Sequence, residues 1–328
     1  MTLPWLHSLT DSWKQLVEQD RVPHAILLSG APGVGKRCLA GWIARERLGI
    51  SGAEKGPQYP LDRPEHADLR WISILEDKKT IGIEQIRTLV ADLGLTSYEG
   101  GGKVAIIEPA NAMTVNAANS LLKTLEEPAG EALLILVADR MGKLPATILS
   151  RCQRLNVPVP PLSVSLSWLD QRQPATGWRA ALELVGQAPL GAIDAIDQLD
   201  LAAAMLADFS ALPSGQESPI EVAARWAKYE PEFCLEWLSR TLFEATKRAS
   251  GGAIGTIEGG LPDSVLRYVD RRNLFCYLNI INRLRSQAAG SFNVQLTLES
   301  LLIDWAGGLK DCHRSFYPGE ELPVAHSR

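Results

Sequence analysis

A glycine-rich stretch at residues 30–37 is the part of this chain whose residue types and spacing point most directly to chemistry. It reads Gly-Ala-Pro-Gly-Val-Gly-Lys-Arg and lies between an apolar run and a helical pattern. Its glycines would let backbone N–H groups and the start of the following helix approach an anion closely. The lysine would reach the outer phosphates of a nucleotide. We therefore predict a phosphate-binding loop whose nucleotide-binding positions are Gly30, Gly33, Gly35, Lys36 and Arg37.

The last position of this loop departs from a working nucleotide site. An active loop places Ser or Thr there to bind Mg²⁺ through its hydroxyl, and this chain has Arg37. Glu108 follows four apolar residues, as does the Mg²⁺-binding acid of many P-loop proteins, although any buried strand can end in an acid. The next residue, Pro109, has no group that could orient water. Two interpretations stay open: an independent P-loop ATPase that uses Lys36 and Glu108, or a degenerate site with at most vestigial ATP binding.

Five short apolar runs alternate with helical patterns through the first 160 residues, at 25–28, 69–74, 103–108, 132–137 and 155–159. This alternation predicts an α/β domain with a parallel sheet and helices on both faces. Ligands of such sheets bind at the carboxyl ends of the strands, where residues 30–37 and Glu108 would meet. Prolines at positions 158, 160 and 161 predict a domain boundary.

The chain beyond this boundary is helical in pattern. The predicted helices cover residues 180–185, 192–206, 220–228, 232–248, 262–285 and 294–305, with a break at 251–260. None of them carries a catalytic cluster. We predict three domains: a P-loop domain at 1–158, a small helical lid at 159–206 and an all-helical domain at 207–328.

Composition narrows the functional classes. The net charge of −5 argues against a protein whose main role is to grip a phosphate backbone. The five cysteines lack metal-type spacing, so we expect reduced thiols, no metal site and a cytoplasmic protein. No segment approaches the length of a membrane span, and we expect no membrane association.

Four motifs, in this order, resemble those of the bacterial clamp-loader subunits of DNA polymerase III, which are AAA+ proteins. They lie at residues 30–36, 82–87, 121–128 and 150–153. The resemblance is specific over residues 23–155 and looser beyond. It implies a RecA-like P-loop domain, a lid, and C-terminal helices that join the collar of a five-subunit ring. The implied partners are the motor (tau/gamma) and delta subunits, with the sliding clamp and primer-template DNA contacted through the complex.

The same resemblance assigns a role to Arg151. In the family, the arginine of the Ser-Arg-Cys motif is presented to the ATP of a neighbouring motor subunit, which makes Arg151 the expected trans arginine finger. A guanidinium at the γ-phosphate stabilises charge in the transition state. Without the resemblance, an ordinary surface salt bridge is the simpler interpretation of Arg151. Cys152 is expected to be a small buried apolar residue, because nothing near it in the sequence supplies a base.

Three departures from the motor-subunit pattern agree with one another. Arg37 replaces the metal ligand, Pro109 replaces the acid that orients water, and residues 186–192 lack the arginine that motor subunits place near Leu190. Residues 49–64 also lack the four cysteines that bind zinc in many relatives. We expect a non-catalytic, stator-like subunit that requires no cofactor and binds no zinc. The alternatives are the independent ATPase and an interaction scaffold outside replication.

Overall fold

The computed structural model describes residues 1–128, 130–139, 141–174, 176–250, 260–286 and 293–310. Its contacts divide the chain into two compact units. One contains residues 1–178 with 187–194, and the other contains residues 179–186 with the chain from 195 onward. The three-domain division at residues 158 and 206 remains a prediction.

The first unit contains a five-stranded sheet in which every neighbouring pair is parallel. The strands are β1 Ala25–Ser29, β2 Leu69–Ile72, β3 Val104–Ile107, β4 Leu133–Ala138 and β5 Gln153–Asn156. Their order across the sheet is β2-β3-β4-β1-β5. β1, β3 and β4 are buried along their whole length, as their continuous apolar sequences predict. The predicted α/β class is confirmed.

Up to residue 172, six described α-helices of this unit surround or follow the sheet. They are α1 His7–Glu18, α2 Lys36–Arg47, α3 Ile83–Leu93, α4 Val115–Glu126, α5 Ala146–Leu149 and α6 Leu162–Arg172. Alternate strand residues face opposite sides of the sheet. One side packs against α3 and α4 in a single apolar cluster, and α2 also contacts β1, β3 and β4. Thr114 caps α4 by accepting a hydrogen bond from the Ala117 N–H, and Pro128 follows the end of that helix.

Two predictions near the end of this unit were wrong in detail. The last strand was expected at 155–159 but occupies Gln153–Asn156, paired with β1 from Ile26 to Ser29. The prolines at 158 and 160 have no N–H to continue the ladder. Sequence reasoning also missed α6, because it interpreted Pro161 only as a boundary. Pro161 is in fact the N-cap residue of this helix.

The chain beyond residue 177 is helical where the structure describes it. Its helices are α7 Trp178–Leu184, α8 Pro189–Ala195, α9 Leu199–Ala211, α10 Pro219–Trp226, α11 Pro231–Ala249, α12 Asp263–Tyr268, α13 Arg271–Ser286 and α14 Val294–Ala306. The expected helical C-terminal region is confirmed. The helix predicted at 262–285 is two helices separated at residues 269–270, and the one predicted at 192–206 is interrupted by a 3-10 turn at 196–198. All but the last residue of the break predicted at 251–260 lies outside the described residues.

Aromatic side chains form the centre of the second unit's core. Trp305 stacks on Phe209 with ring centroids 4.1 Å apart, and its indole N–H donates to the Phe209 carbonyl at 2.8 Å. Trp226 and Tyr277 are also fully buried in this cluster. Within the described ranges, no helix combines the length and apolar character needed to cross a membrane.

Candidate functional site

Three adjacent strands bring the predicted nucleotide-site residues to one edge of the sheet. β1 leads into residues 30–37, β3 ends just before Glu108, and β4 ends just before Asp139. Parallel strands place all three carboxyl ends together. Arg37 Nε lies 2.8 Å from Glu108 Oε1, so the predicted meeting of the loop and this acid is confirmed.

The glycines of the loop allow close contact with other parts of the same unit. Gly33 has φ +77°, and a Cβ there would lie 2.6 Å from Gly191 N. The Leu190 N–H donates to the Gly33 carbonyl at 2.9 Å. Gly35 has φ +96°, and a Cβ there would lie 2.8 Å from a Leu3 methyl. Packing of the chain on itself thus accounts for glycine at these two positions, with or without a phosphate.

Lys36 is turned back into its own loop. Its side chain is 4% exposed, and Nζ lies 2.6 Å from Asp139 Oδ1. The same nitrogen donates to the carbonyls of Gly30 at 2.8 Å and Ala31 at 2.5 Å. An ammonium group has three N–H donors. Two of them are donated to the loop carbonyls, and the ion pair with Asp139 also engages the ammonium, so a phosphate would have to displace these contacts.

Glu108 is enclosed by cationic and hydrogen-bonding side chains. It is 12% exposed, and besides Arg37 it accepts a hydrogen bond from the Trp71 indole at 3.2 Å. Arg63 Nη2 lies 3.9 Å from Glu108 Oε2, and the central guanidinium carbon of Arg63 lies 4.7 Å from the centroid of the Trp71 ring. A nearly buried carboxylate needs such partners. A metal ion at Glu108 would have to displace Arg37, and this arrangement disfavours an independent ATPase.

Sequence reasoning missed three residues of this site. Asp139 follows β4 as Glu108 follows β3, so the carboxyl-end rule applied to Glu108 could have found it. Arg63 and Trp71 reach Glu108 from an irregular segment and from β2. No spacing in the sequence indicates those two contacts.

Arg151 lies at the surface, just beyond α5, and its side chain is one third exposed. Its Nη1 donates to the Thr147 carbonyl at 2.9 Å and to Ser150 Oγ at 3.3 Å. Its Nη2 lies 2.5 Å from Glu126 Oε1. The surface salt bridge considered for Arg151 is thus present, and the side chain remains reachable from outside.

The described cysteines are not bonded to one another, and three of them are buried. Burial raises the pKa of Cys152 to about 11, although Arg154 opposes the shift. Burial likewise raises the pKa of Cys38 and the pKa of Cys234 to about 11. The prediction that Cys152 is a buried side chain is confirmed, whereas Cys312 lies outside the described residues.

Comparison of the sequence with known proteins shows which proteins this chain resembles. The family model described as DNA polymerase III, delta subunit, matches residues 6–161. The DNA polymerase III delta-prime subunit of Pseudomonas aeruginosa is 39% identical over 199 residues, which is 58% of this chain and 60% of that protein. These matches agree with the resemblance to clamp-loader subunits that the motifs predicted, and the chain is similar to delta-prime subunits of DNA polymerase III.

Other similarities extend over more of the chain. The delta-prime subunit of Escherichia coli is 28% identical, and the alignment covers 98% of both proteins. A crystal structure of a DNA polymerase III gamma-subunit-related protein from Thermotoga maritima has 21% identity and a TM-score of 0.48. That comparison covers 90% of this chain and 98% of the other.

Proposed function

We propose that this chain, which is similar to delta-prime subunits, is a non-catalytic, stator-like subunit of the bacterial replicative clamp loader. In this role it helps the complex to load the sliding clamp onto primed DNA. The observation that carries the proposal is the internal neutralisation of the phosphate loop. Lys36 pairs with Asp139 at 2.6 Å, and Arg37 pairs with Glu108 at 2.8 Å. The lysine ammonium and the glutamate carboxylate, which a working nucleotide site would need, are therefore already engaged.

Loss of turnover follows from the chemistry of these groups. A cation at position 37 cannot ligate Mg²⁺, and the carboxylate of Glu108 is occupied by that cation. Pro109 offers no side chain to orient an attacking water. The subunit accordingly requires no nucleotide cofactor of its own, and it binds no zinc because residues 49–64 lack the necessary cysteines.

Arg151 supplies the subunit's chemical contribution, as a trans arginine finger for the ATP of the adjacent motor subunit. Its partial exposure and its position beyond a short helix support this role. A guanidinium placed on a γ-phosphate accelerates hydrolysis by about 10³- to 10⁵-fold in well-studied NTPases. A lysine could not present the same planar fork.

The remaining partners follow from the family and from the helical C-terminal region. These helices join the collar with the motor (tau/gamma) and delta subunits. Contacts with the sliding clamp and the primer-template are made through the complex. A dense apolar core, built around Trp305 and Phe209, supports a rigid structural role for this region.

The finger assignment is tested by Arg151→Ala in a reconstituted clamp loader, with clamp-dependent ATP hydrolysis and clamp loading as readouts. Other ATP sites in the ring remain intact, so we expect the overall rates to fall by about tenfold, less than for a single isolated site. Arg154→Ala is the matched control, because Arg154 is an exposed arginine three residues away. Equal rates for wild type and Arg151→Ala would refute the assignment.

A further inference from the structure

The Leu121–Pro128 motif and the Ser150–Gln153 motif meet in space through one ion pair. Glu126 is the last residue of α4, and Arg151 follows α5. Their closest charged atoms, Glu126 Oε1 and Arg151 Nη2, are 2.5 Å apart. The sequence marks the two motifs only as family features, and the structure gives them a direct contact.

The backbone on both sides of this ion pair is fixed by the core of the first unit. Leu125, next to Glu126, is 2% exposed, and its carbonyl lies 3.0 Å from His24 Nε2. Cys152, next to Arg151, is 8% exposed. Buried neighbours leave little freedom to the Cα positions of the ion-paired residues. The direction of the guanidinium is therefore set mainly by its own contacts.

Those contacts engage part of the guanidinium and leave part of it available. The group has five N–H donors in a planar fork. Thr147 and Ser150 receive two of them from Nη1, and Nη2 forms an ion pair with Glu126. Hydrogen bonds among the described residues thus use two donors, and the ion pair engages one side of Nη2. A phosphate oxygen can approach Nε–H and the other side of Nη2 without breaking the pair.

We propose that Glu126 is a positioning residue for Arg151, and this inference rests on the proposed function. The carboxylate, together with the Thr147 carbonyl, holds the long side chain in one orientation before a neighbouring subunit arrives. An arginine that is already ordered loses less side-chain freedom when it engages a phosphate. Glu126 touches no nucleotide itself and acts only through the guanidinium.

The test uses Glu126→Gln in the reconstituted clamp loader, with Glu127→Gln as the matched control. Glu127 is the same residue type at the next position and is also exposed. Loss of the carboxylate charge weakens the tether while keeping the side-chain shape. We expect kcat for clamp-dependent ATP hydrolysis to fall about threefold with KM for ATP unchanged, because misorientation of the finger affects mainly the transition state. Glu127→Gln should match wild type.

A double variant separates positioning from a general structural effect. If Glu126 acts through Arg151, Glu126→Gln/Arg151→Ala will have the same residual rate as Arg151→Ala alone. A further loss in the double variant would mean that Glu126 acts elsewhere and would overturn the inference. An unchanged rate for Glu126→Gln would also overturn the inference. A faster rate would overturn it as well, because it would mean that the Glu126 carboxylate competes with phosphate for Arg151. If Arg151→Ala hydrolyses ATP at the wild-type rate, both the finger assignment and the positioning role are wrong.

Discussion

At the scale of single residues, the arrangement of charge around Lys36 decides whether the loop can hold a nucleotide. The lysine is buried, and its ammonium is shared among Asp139 and two loop carbonyls. Asp139 is 41% exposed, and its carboxylate lies against the ammonium that a phosphate would need. We expect the carboxylate to disfavour nucleotide binding in two ways, by occupying the lysine and by repelling an anion.

Asp139→Asn should strengthen nucleotide binding without restoring hydrolysis. Removing the carboxylate frees the Lys36 ammonium and eliminates a like-charge repulsion, and we expect ATP to bind about tenfold more tightly. Titration of a fluorescent ATP analogue without Mg²⁺ measures the change. Asp11→Asn, an exposed aspartate on α1, is the control. If Asp139→Asn binds no better than wild type, Asp139 is not what closes the loop.

The phosphate-loop motif predicted only part of the residues in this site. The spacing of residues 30–37 and the acid after β3 were enough to place Lys36 and Glu108 in one site. The further counterions Asp139 and Arg63 were not predicted, because they come from segments 103 and 45 positions away in sequence from Lys36 and Glu108. Such pairs depend on strand order and on the path of an irregular segment, neither of which the motif specifies.

At the scale of elements, Asp68 organises the loop between α3 and β3. It accepts hydrogen bonds from the Ser97 hydroxyl and from the N–H groups of Tyr98 and Glu99. Burial acts to raise the pKa of Asp68, but these hydrogen bonds and nearby His66 hold it below the ordinary value. The folded loop thus favours the ionised carboxylate.

This lowered pKa predicts a pH-dependent contribution to stability. The contribution is fully present above about pH 4, the pKa of an unfolded aspartate, and is lost as the pH falls through the lower pKa of the folded state. Urea unfolding from pH 6 to pH 2.5 should show wild type more stable than Asp68→Asn at the upper end, with the difference shrinking below about pH 4. A difference that stays constant over this range would contradict the assignment.

The helical C-terminal core depends on the aromatic stack of α9 and α14. Trp305 is fully buried, and its replacement by Ala would leave a large cavity and remove the donor to the Phe209 carbonyl. We expect Trp305→Ala to lower the free energy of unfolding by about 3–5 kcal/mol in chemical denaturation. Leu296→Ala, on the same helix but 62% exposed, should change it by less than about 0.5 kcal/mol. Similar effects of the two substitutions would rule out this packing.

Elements differed in how well the sequence predicted them, for physical reasons. β1, β3 and β4 are continuous apolar runs because both of their faces are buried, and their positions were predicted within one residue at each end. β5 has mainly exposed side chains, so its apolar pattern was weak and its bounds were misplaced. The break between α12 and α13 is accompanied by a hydrogen bond from the Asp270 N–H to the distant Gly308 carbonyl, which no local pattern indicates.

At the scale of the whole molecule, the chain pairs a phosphate loop satisfied by its own charges with an arginine available to another protein. Lys36 and Glu108 are enclosed, whereas Arg151 keeps a third of its side chain exposed. Such a division suits a subunit that stays fixed while its neighbours hydrolyse ATP. The net charge of −5 fits contacts with DNA that are made through partners instead of by this chain alone.

The most direct test compares two variants of this subunit in one assay, clamp-dependent ATP hydrolysis by the reconstituted complex. Lys36→Met removes the ammonium of the chain's own loop and keeps its aliphatic stem, while Arg151→Ala removes the guanidinium that we propose acts on a neighbour's ATP. We predict that Lys36→Met leaves the rate unchanged and that Arg151→Ala lowers it by about tenfold. The reverse result, with activity lost in Lys36→Met and kept in Arg151→Ala, would contradict a silent subunit that acts in trans.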